Sequence, residues 1–193
     1  MNAAVETSRK VWTEAELESL EEDGFTHEVV DGELVMSPKN DFFRGDICSE
    51  LVLALRTSAK ANRLGAVLDS STGFWMKSQN CRAPDISFVS RARLKALGFR
   101  HSTRSFFPEA PDLAVEVLSP NNTRREIDER LNDFFASGTM LAWVIDPDAQ
   151  RVEVCRSPTN RKLIGGGGFL DGEELLPGFR YPIADLFKEW DWE

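Results

Sequence analysis

Ala110-Pro111-Asp112-Leu113-Ala114-Val115-Glu116-Val117-Leu118-Ser119-Pro120 reads as a short strand closed off by proline at both ends. Its interior, Leu113 to Leu118, is apolar at every position but one, as expected of a strand covered on both faces of a sheet. Period two puts Ala114, Glu116 and Leu118 on one face and Val115 and Val117 on the other. Glu116 therefore leaves bulk water, and an unpaired buried carboxylate neutralises or finds a partner. A divalent cation is one partner. A buried arginine, or a place on an edge strand, would serve as well.

Upstream, Arg82-Ala-Pro-Asp85-Ile-Ser-Phe-Val repeats the shape of Ala110-Pro-Asp-Leu-Ala-Val-Glu: proline ends irregular chain and an aspartate opens an apolar strand. If the two strands are neighbours, Asp85 and Glu116 converge on one ion. Mg²⁺ (or Mn²⁺) suits so sparse a set, since it takes one or two carboxylates and completes its shell with water and substrate phosphate. Asp112 reads instead as the residue that terminates a loop. Downstream, Thr123-Arg-Arg-Glu126 is a capping box opening a helix with Ile127, Leu131 and Phe134 on one face and Gly138 at its end. MLAWVID and RVEVC follow as two strands joined across Pro147-Asp148.

Toward the N-terminus, Thr13-Glu-Ala-Glu16 is a second capping box, predicting a short acidic helix closed by Gly24. Asp31-Gly32, inside HEVVDGELVMS, predicts a hairpin, because both turn residues tolerate positive φ. Ile47, Leu51, Ala54 and Leu55 recur at helical spacing between Asp41 and about Ala61, with Gly65 ending the run. AVLDS, GFWMK and DISFVS are strand candidates, and Ser90 can cap a helix that ends near Gly98. The Gly165–Gly168 run reads as a flexible loop, without the context of a phosphate-cradling motif. One more strand or turn and a helix into Trp190 and Trp192 complete the tail. The whole is a single domain over 1–193, a mixed α/β (α+β) arrangement of sheet and flanking helices.

Composition narrows the chemistry. Three scattered cysteines (Cys48, Cys81, Cys155) suit free thiols better than a disulfide framework. With His27 and His101 the only histidines, no zinc-site spacing exists, so any metal here is hard and bound by oxygen. No apolar stretch approaches membrane-spanning length and the first residues lack an apolar signal core, which together predict a cytoplasmic protein. The net charge of −9 opposes a nucleic-acid partner on average, but local positive surface matters more than the sum. Ser90 to Phe107 carries Arg91, Arg93, Lys95, Arg100 and Arg104 with no acid, either a solvated helix and loop or a surface for DNA phosphates.

The succession HEVVDGELVMSP, RAPDISFVS, APDLAVEVLSPNNT, then a helix ending in ASG and followed by WVIDP, resembles the Uma family of "putative restriction endonucleases" in the PD-(D/E)XK nuclease superfamily. The match runs from about Thr13 to past Val154. The resemblance implies a restriction-endonuclease-like mixed β-sheet flanked by helices, a Mg²⁺-type site, hydrolysis of DNA and a homodimer. It carries the family's PD aspartate onto Asp85 and its later acid onto Glu116. An upstream acid falls on Glu28, with His27 where tyrosine is usual, and Glu33 competes for that role. The superfamily's lysine, two residues after the second acid, is Leu118 here. In the family a lysine on the following helix substitutes, and the same count back from Gly138 lands on Arg130. Three residues after Ile127 and four before Phe134, Arg130 sits at the border of the buried face, within reach of the sheet. A guanidinium can steady a phosphate or an attacking hydroxide but cannot act as a base; pairing to Glu126 or another acid is the alternative. Two functions stay open: a Mg²⁺-dependent DNA endonuclease, or a nuclease fold kept as a module that binds nucleic acid or protein without turnover.

Overall fold

The computed structural model describes residues 10–21 and 23–191. In chain order, α1 (Glu14–Glu18) leads into the hairpin β1 (Phe25–Val30) and β2 (Glu33–Pro38), then α2 (Phe42–Ala61) and β3 (Gly65–Asp69). Two-residue strands β4 (Phe74–Trp75) and β5 (Cys81–Arg82) precede β6 (Ile86–Ser90), α3 (Arg91–Ala96) and β7 (Leu113–Val117). After α4 (Arg124–Ser137) come β8 (Leu141–Asp146), β9 (Arg151–Cys155), β10 (Arg161–Gly165), β11 (Phe169–Asp171) and β12 (Arg180–Pro182), with a 3₁₀ turn at Ile183–Phe187.

The central sheet is mixed, in the order β10-β9-β8-β7-β6-β3, with β7 and β8 parallel and the other neighbours antiparallel. All five residues of β7 are buried, which makes it the interior strand its apolar run predicted. Val115 and Val117 pack with Ile47, Leu51 and Leu55 of α2, while Ala114 packs with Ile127, Leu131 and Phe134 of α4. Each helix thus covers one face of the sheet, and Glu116 shares the α4 face with Ala114. A smaller sheet, β2-β1-β5-β4, stands beside this body, and β11 pairs with β12.

Local signals explain most boundaries. Both capping boxes form, at Thr13 with Glu16 and at Thr123 with Glu126, and Gly138 takes the left-handed conformation (φ 111°) that closes α4. The hairpin turns on Asp31 (φ 54°) and Gly32 (φ 84°). Several expectations need correction. α1 ends at Glu18 with Ser19 as its cap, well short of Gly24, because a helix this short, with Leu17 its one buried residue, has little apolar face to prolong it. Asn62, not Gly65, follows the last residue of α2. Gly65 opens β3, where a Cβ would stand 2.1 Å from the Val89 carbonyl; its role is close strand approach. The glycine run forms a turn between β10 and β11, with the Gly168 N–H donating to the Gly165 carbonyl at 2.9 Å. The tail helix stops at Phe187, and Trp190 meets the Phe42 ring edge-on at 5.3 Å. Trp192 lies outside the described residues. No helix among the described residues is long and apolar enough to cross a membrane.

Candidate active site

β6 and β7 pair antiparallel with Ile86 opposite Val115. One more step of that register sets Asp85 opposite Glu116, and residues directly opposite send their side chains to the same side. The two acids singled out in the sequence therefore meet across adjacent strands, and both face one cleft of about 840 Å³.

Asp85 is held by its neighbours as well as by its strand. Its Oδ2 accepts the Val117 N–H at 2.8 Å and its Oδ1 accepts the Asn40 amide at 3.2 Å. Arg44, on the first turn of α2, places Nη2 3.7 Å from Asp85 Oδ2 and donates from Nε and Nη2 to the Val117 carbonyl at 3.1 and 2.8 Å. The last residue of β7 is thus tied at its N–H by the aspartate and at its C=O by the arginine. Asn40 and Arg44 escaped the sequence reading. The capping residue Asp41 marks where α2 begins, but nothing local says that this helix start abuts the end of β7.

Among the described residues Glu116 has one protein donor: Arg130 Nε, 3.0 Å from Oε1. Burial drives its carboxyl up to about 7, Arg130 opposes the rise, and the negative charges of Asp85 and Glu28 reinforce it. The rest of the Arg130 guanidinium forks onto Glu28, Nη1 to Oε2 at 2.5 Å and Nη2 to Oε1 at 2.9 Å. Burial works against the charge on Arg130, but Glu116 and Glu28 outweigh it and hold the cation firmly protonated. Arg130 thus reaches the sheet, and its partners are these two acids rather than Glu126.

Glu28 is 2% exposed. Besides Arg130 it accepts the Ala83 N–H at 2.7 Å, and Arg82 Nη1 stands 3.5 Å from its Oε2. Four donors occupy about as many acceptor sites as a carboxylate has. Glu28 is therefore the anchor of Arg130. Glu33, its competitor, is exposed on β2 and does not line the cleft.

Five carboxylates line the cleft (Glu28, Asp41, Asp85, Glu116, Glu126) against three cations (Lys39, Arg44, Arg130). The basic stretch expected to meet DNA is elsewhere. Arg91, Arg93, Lys95, Arg100 and Arg104 line no part of this cleft. α3 begins where β6 ends, about five residues and ~17 Å of strand away from Asp85. Arg93 there is paired with Glu109 at 2.6 Å and with Asp112 at 3.2 Å. Asp112 also accepts the Ser90 N–H at 2.7 Å, so it ties a loop, as expected. The three cysteines are free, and burial pushes each thiol up to about 12.

Comparison with known proteins follows the same lines. The Uma2 family model, described as "Putative restriction endonuclease", matches residues 14–184. The chain belongs to the Uma2 family. A crystal structure of "a putative nuclease belonging to DUF820" from Anabaena variabilis superposes on this Uma2 chain with a TM-score of 0.78 at 23% sequence identity. The overlap covers 91% of this chain and 97% of that one, and establishes a shared fold. No curated protein matches the chain. Among the described residues, no three His, Cys, Asp or Glu side chains are grouped to hold a metal ion. In this Uma2 chain the site is a pair of acids with an arginine clamp.

Proposed function

We propose that the protein is a Mg²⁺- or Mn²⁺-dependent endonuclease that hydrolyses phosphodiester bonds of DNA in the cleft where Asp85 and Glu116 meet. The observation that carries this reading is the β6–β7 register, which brings two acids from separate strands to one solvent-accessible hollow. The donor set fits a hard cation. Glu116 Oε2 has no protein donor among the described residues, and burial, with Asp85 and Glu28 nearby, lifts its carboxyl to about 7 in spite of Arg130. Two carboxylates leave the remaining positions to water and phosphate, as Mg²⁺ prefers. When bound, such an ion supplies Lewis acidity toward the phosphoryl oxygen and toward an attacking water.

The chain's own residues do the rest. Asp85 and Glu116 would hold the ion, with Asp85 kept in place by Asn40 and Val117. Arg130, charged at every working pH, steadies negative charge on the scissile phosphate and leaves proton removal to another group. Lys39 and Arg44 add positive charge at the start of α2, where the polyanion enters. Incubating plasmid with the protein and Mg²⁺ or Mn²⁺, beside Asp85→Ala, tests this. Metal-dependent cleavage that Asp85→Ala abolishes is expected. Cleavage persisting in that variant, or none with either metal, would overturn the reading.

One observation favours a second reading, a nuclease fold that binds nucleic acid or protein without turnover. Arg130 spends its donors on Glu28 and Glu116 and stands where a lysine would otherwise serve. Under that reading the wild type is inert and Arg130→Lys gains cleavage. Cleavage by the wild type, with a lower rate in Arg130→Lys, rejects it.

A further inference from the structure

Asp133 on α4 and Arg82 at the end of β5 do not line the cleft, yet they are heavily tied charges. Arg82 is 5% exposed. Its Nε donates to Asp133 Oδ2 at 2.9 Å and its Nη2 stands 2.9 Å from the same oxygen, while Nη1 faces Glu28 Oε2 at 3.5 Å. Asp133 also accepts the Asn80 amide at 2.6 Å and the Ser78 hydroxyl at 2.8 Å. Asn80 in turn accepts the Asp31 N–H at 2.8 Å, fastening the cluster to the tip of the β1–β2 hairpin. Charge alternates along the path Asp133, Arg82, Glu28, Arg130, Glu116. Two guanidinium groups thus compete for Glu28. Arg130 has the short forked contact, while Arg82 turns its Nε edge to Asp133.

We propose that Arg82 and Asp133 are positioning residues which, through Glu28, fix the Arg130 guanidinium at the cleft. The geometry stands by itself; its catalytic consequence rests on the endonuclease reading above. Without the charge of Asp133, Arg82 is free to take Glu28 in a charge-assisted fork of its own. Arg130 then loses its anchor and swings on its bond to Glu116 alone. Neither Arg82 nor Asp133 touches the space a substrate would fill, so the loss falls on turnover and not on DNA binding.

The test reads Arg130 directly. Its Nε–H, which donates to Glu116 at 3.0 Å, is followed by solvent hydrogen exchange in a ¹⁵N-arginine NMR spectrum. Asp133→Asn is expected to speed that exchange at least tenfold. In a Glu28→Gln background the same substitution should add nothing, because the path between them is already cut. Arg82→Lys, which cannot fork onto Glu28, should leave the exchange slow and should cancel the effect of Asp133→Asn when the two are combined; Asp133→Ser replaces Asp133→Asn if that variant fails to fold. In cleavage assays Asp133→Asn should show kcat down by roughly 10–100-fold with KM for DNA unchanged. Exchange in Asp133→Asn that stays at the wild-type rate, or quickens by the same factor with and without Glu28, overturns the proposal. If the exchange responds as expected but the wild type cleaves nothing, the positioning role stands and the endonuclease reading alone falls. If the wild type cleaves and Asp133→Asn matches it in kcat and in exchange, the positioning role alone falls.

Discussion

Glu116→Gln should make the protein more stable above about pH 4.5, by an amount that grows until about pH 7. The folded chain holds the Glu116 proton up to about pH 7, whereas the unfolded chain releases it near the ordinary value of 4.5. Between those values the folded state binds more protons, so stability falls as pH rises through that window. Raising the carboxyl from 4.5 to about 7, at about 1.4 kcal/mol per factor of ten in the proton equilibrium, makes the ionised side chain cost about 3 kcal/mol. Glutamine keeps the shape of the protonated acid and still offers an oxygen to Arg130, but it cannot ionise. Thermal melts in chelator should show the two proteins together near about pH 4.5, with the variant ahead by about 6–12 °C near pH 8 for a chain of this size. Adding Mg²⁺ at the higher pH should recover part of the gap in the wild type alone, because under the proposed function the ion would bind only the folded, ionised site. A gap that does not change with pH, or a variant that melts first near pH 8, would refute this account of Glu116.

The remaining expectations concern the surface and the backbone. Lys39→Ala should weaken DNA binding and reduce the slope of log affinity against log salt by about one, read by fluorescence anisotropy. Replacing Arg91, Lys95 and Arg100 together should leave both quantities unchanged, since none lines the cleft. Gly65→Ala should destabilise by about 3 kcal/mol or more in urea, because its methyl would press on the Val89 carbonyl of β6. Gly45→Ala, inside α2 with nothing within 4 Å of the added carbon, should stabilise by about 0.5–1 kcal/mol.

What could be read in the sequence was what depends on neighbours along the chain. The apolar run around Glu116, the Asp31-Gly32 turn and the two capping boxes each carry their own cause, and each formed as expected. The acid pair was legible because both members open or interrupt apolar strands. Contacts made at a distance were not. Arg44 and Asn40 reach the site only because the start of α2 abuts the end of β7. β5 is two residues long, too short for any periodic signal, yet it carries Arg82. The place of the basic stretch was hidden for a related reason: it follows β6, and five strand residues carry it to the far end of that strand from Asp85. For Arg130 the count from Gly138 found the position, but its forked hold on Glu28 joins residues 102 apart in sequence.

The hairpin that supplies Glu28 also limits how the gene can change length. In β1, Glu28 turns toward Arg130, while Val29 turns into the apolar cluster with Leu17 and Cys81. Losing a single codon from this strand would exchange the two, presenting a valine to the arginine and driving a carboxylate among hydrocarbon. Insertions and deletions in this arm are therefore tolerable in pairs, or at the exposed tip beyond Val30, and a lone frame-preserving codon change elsewhere in it should be purged by selection.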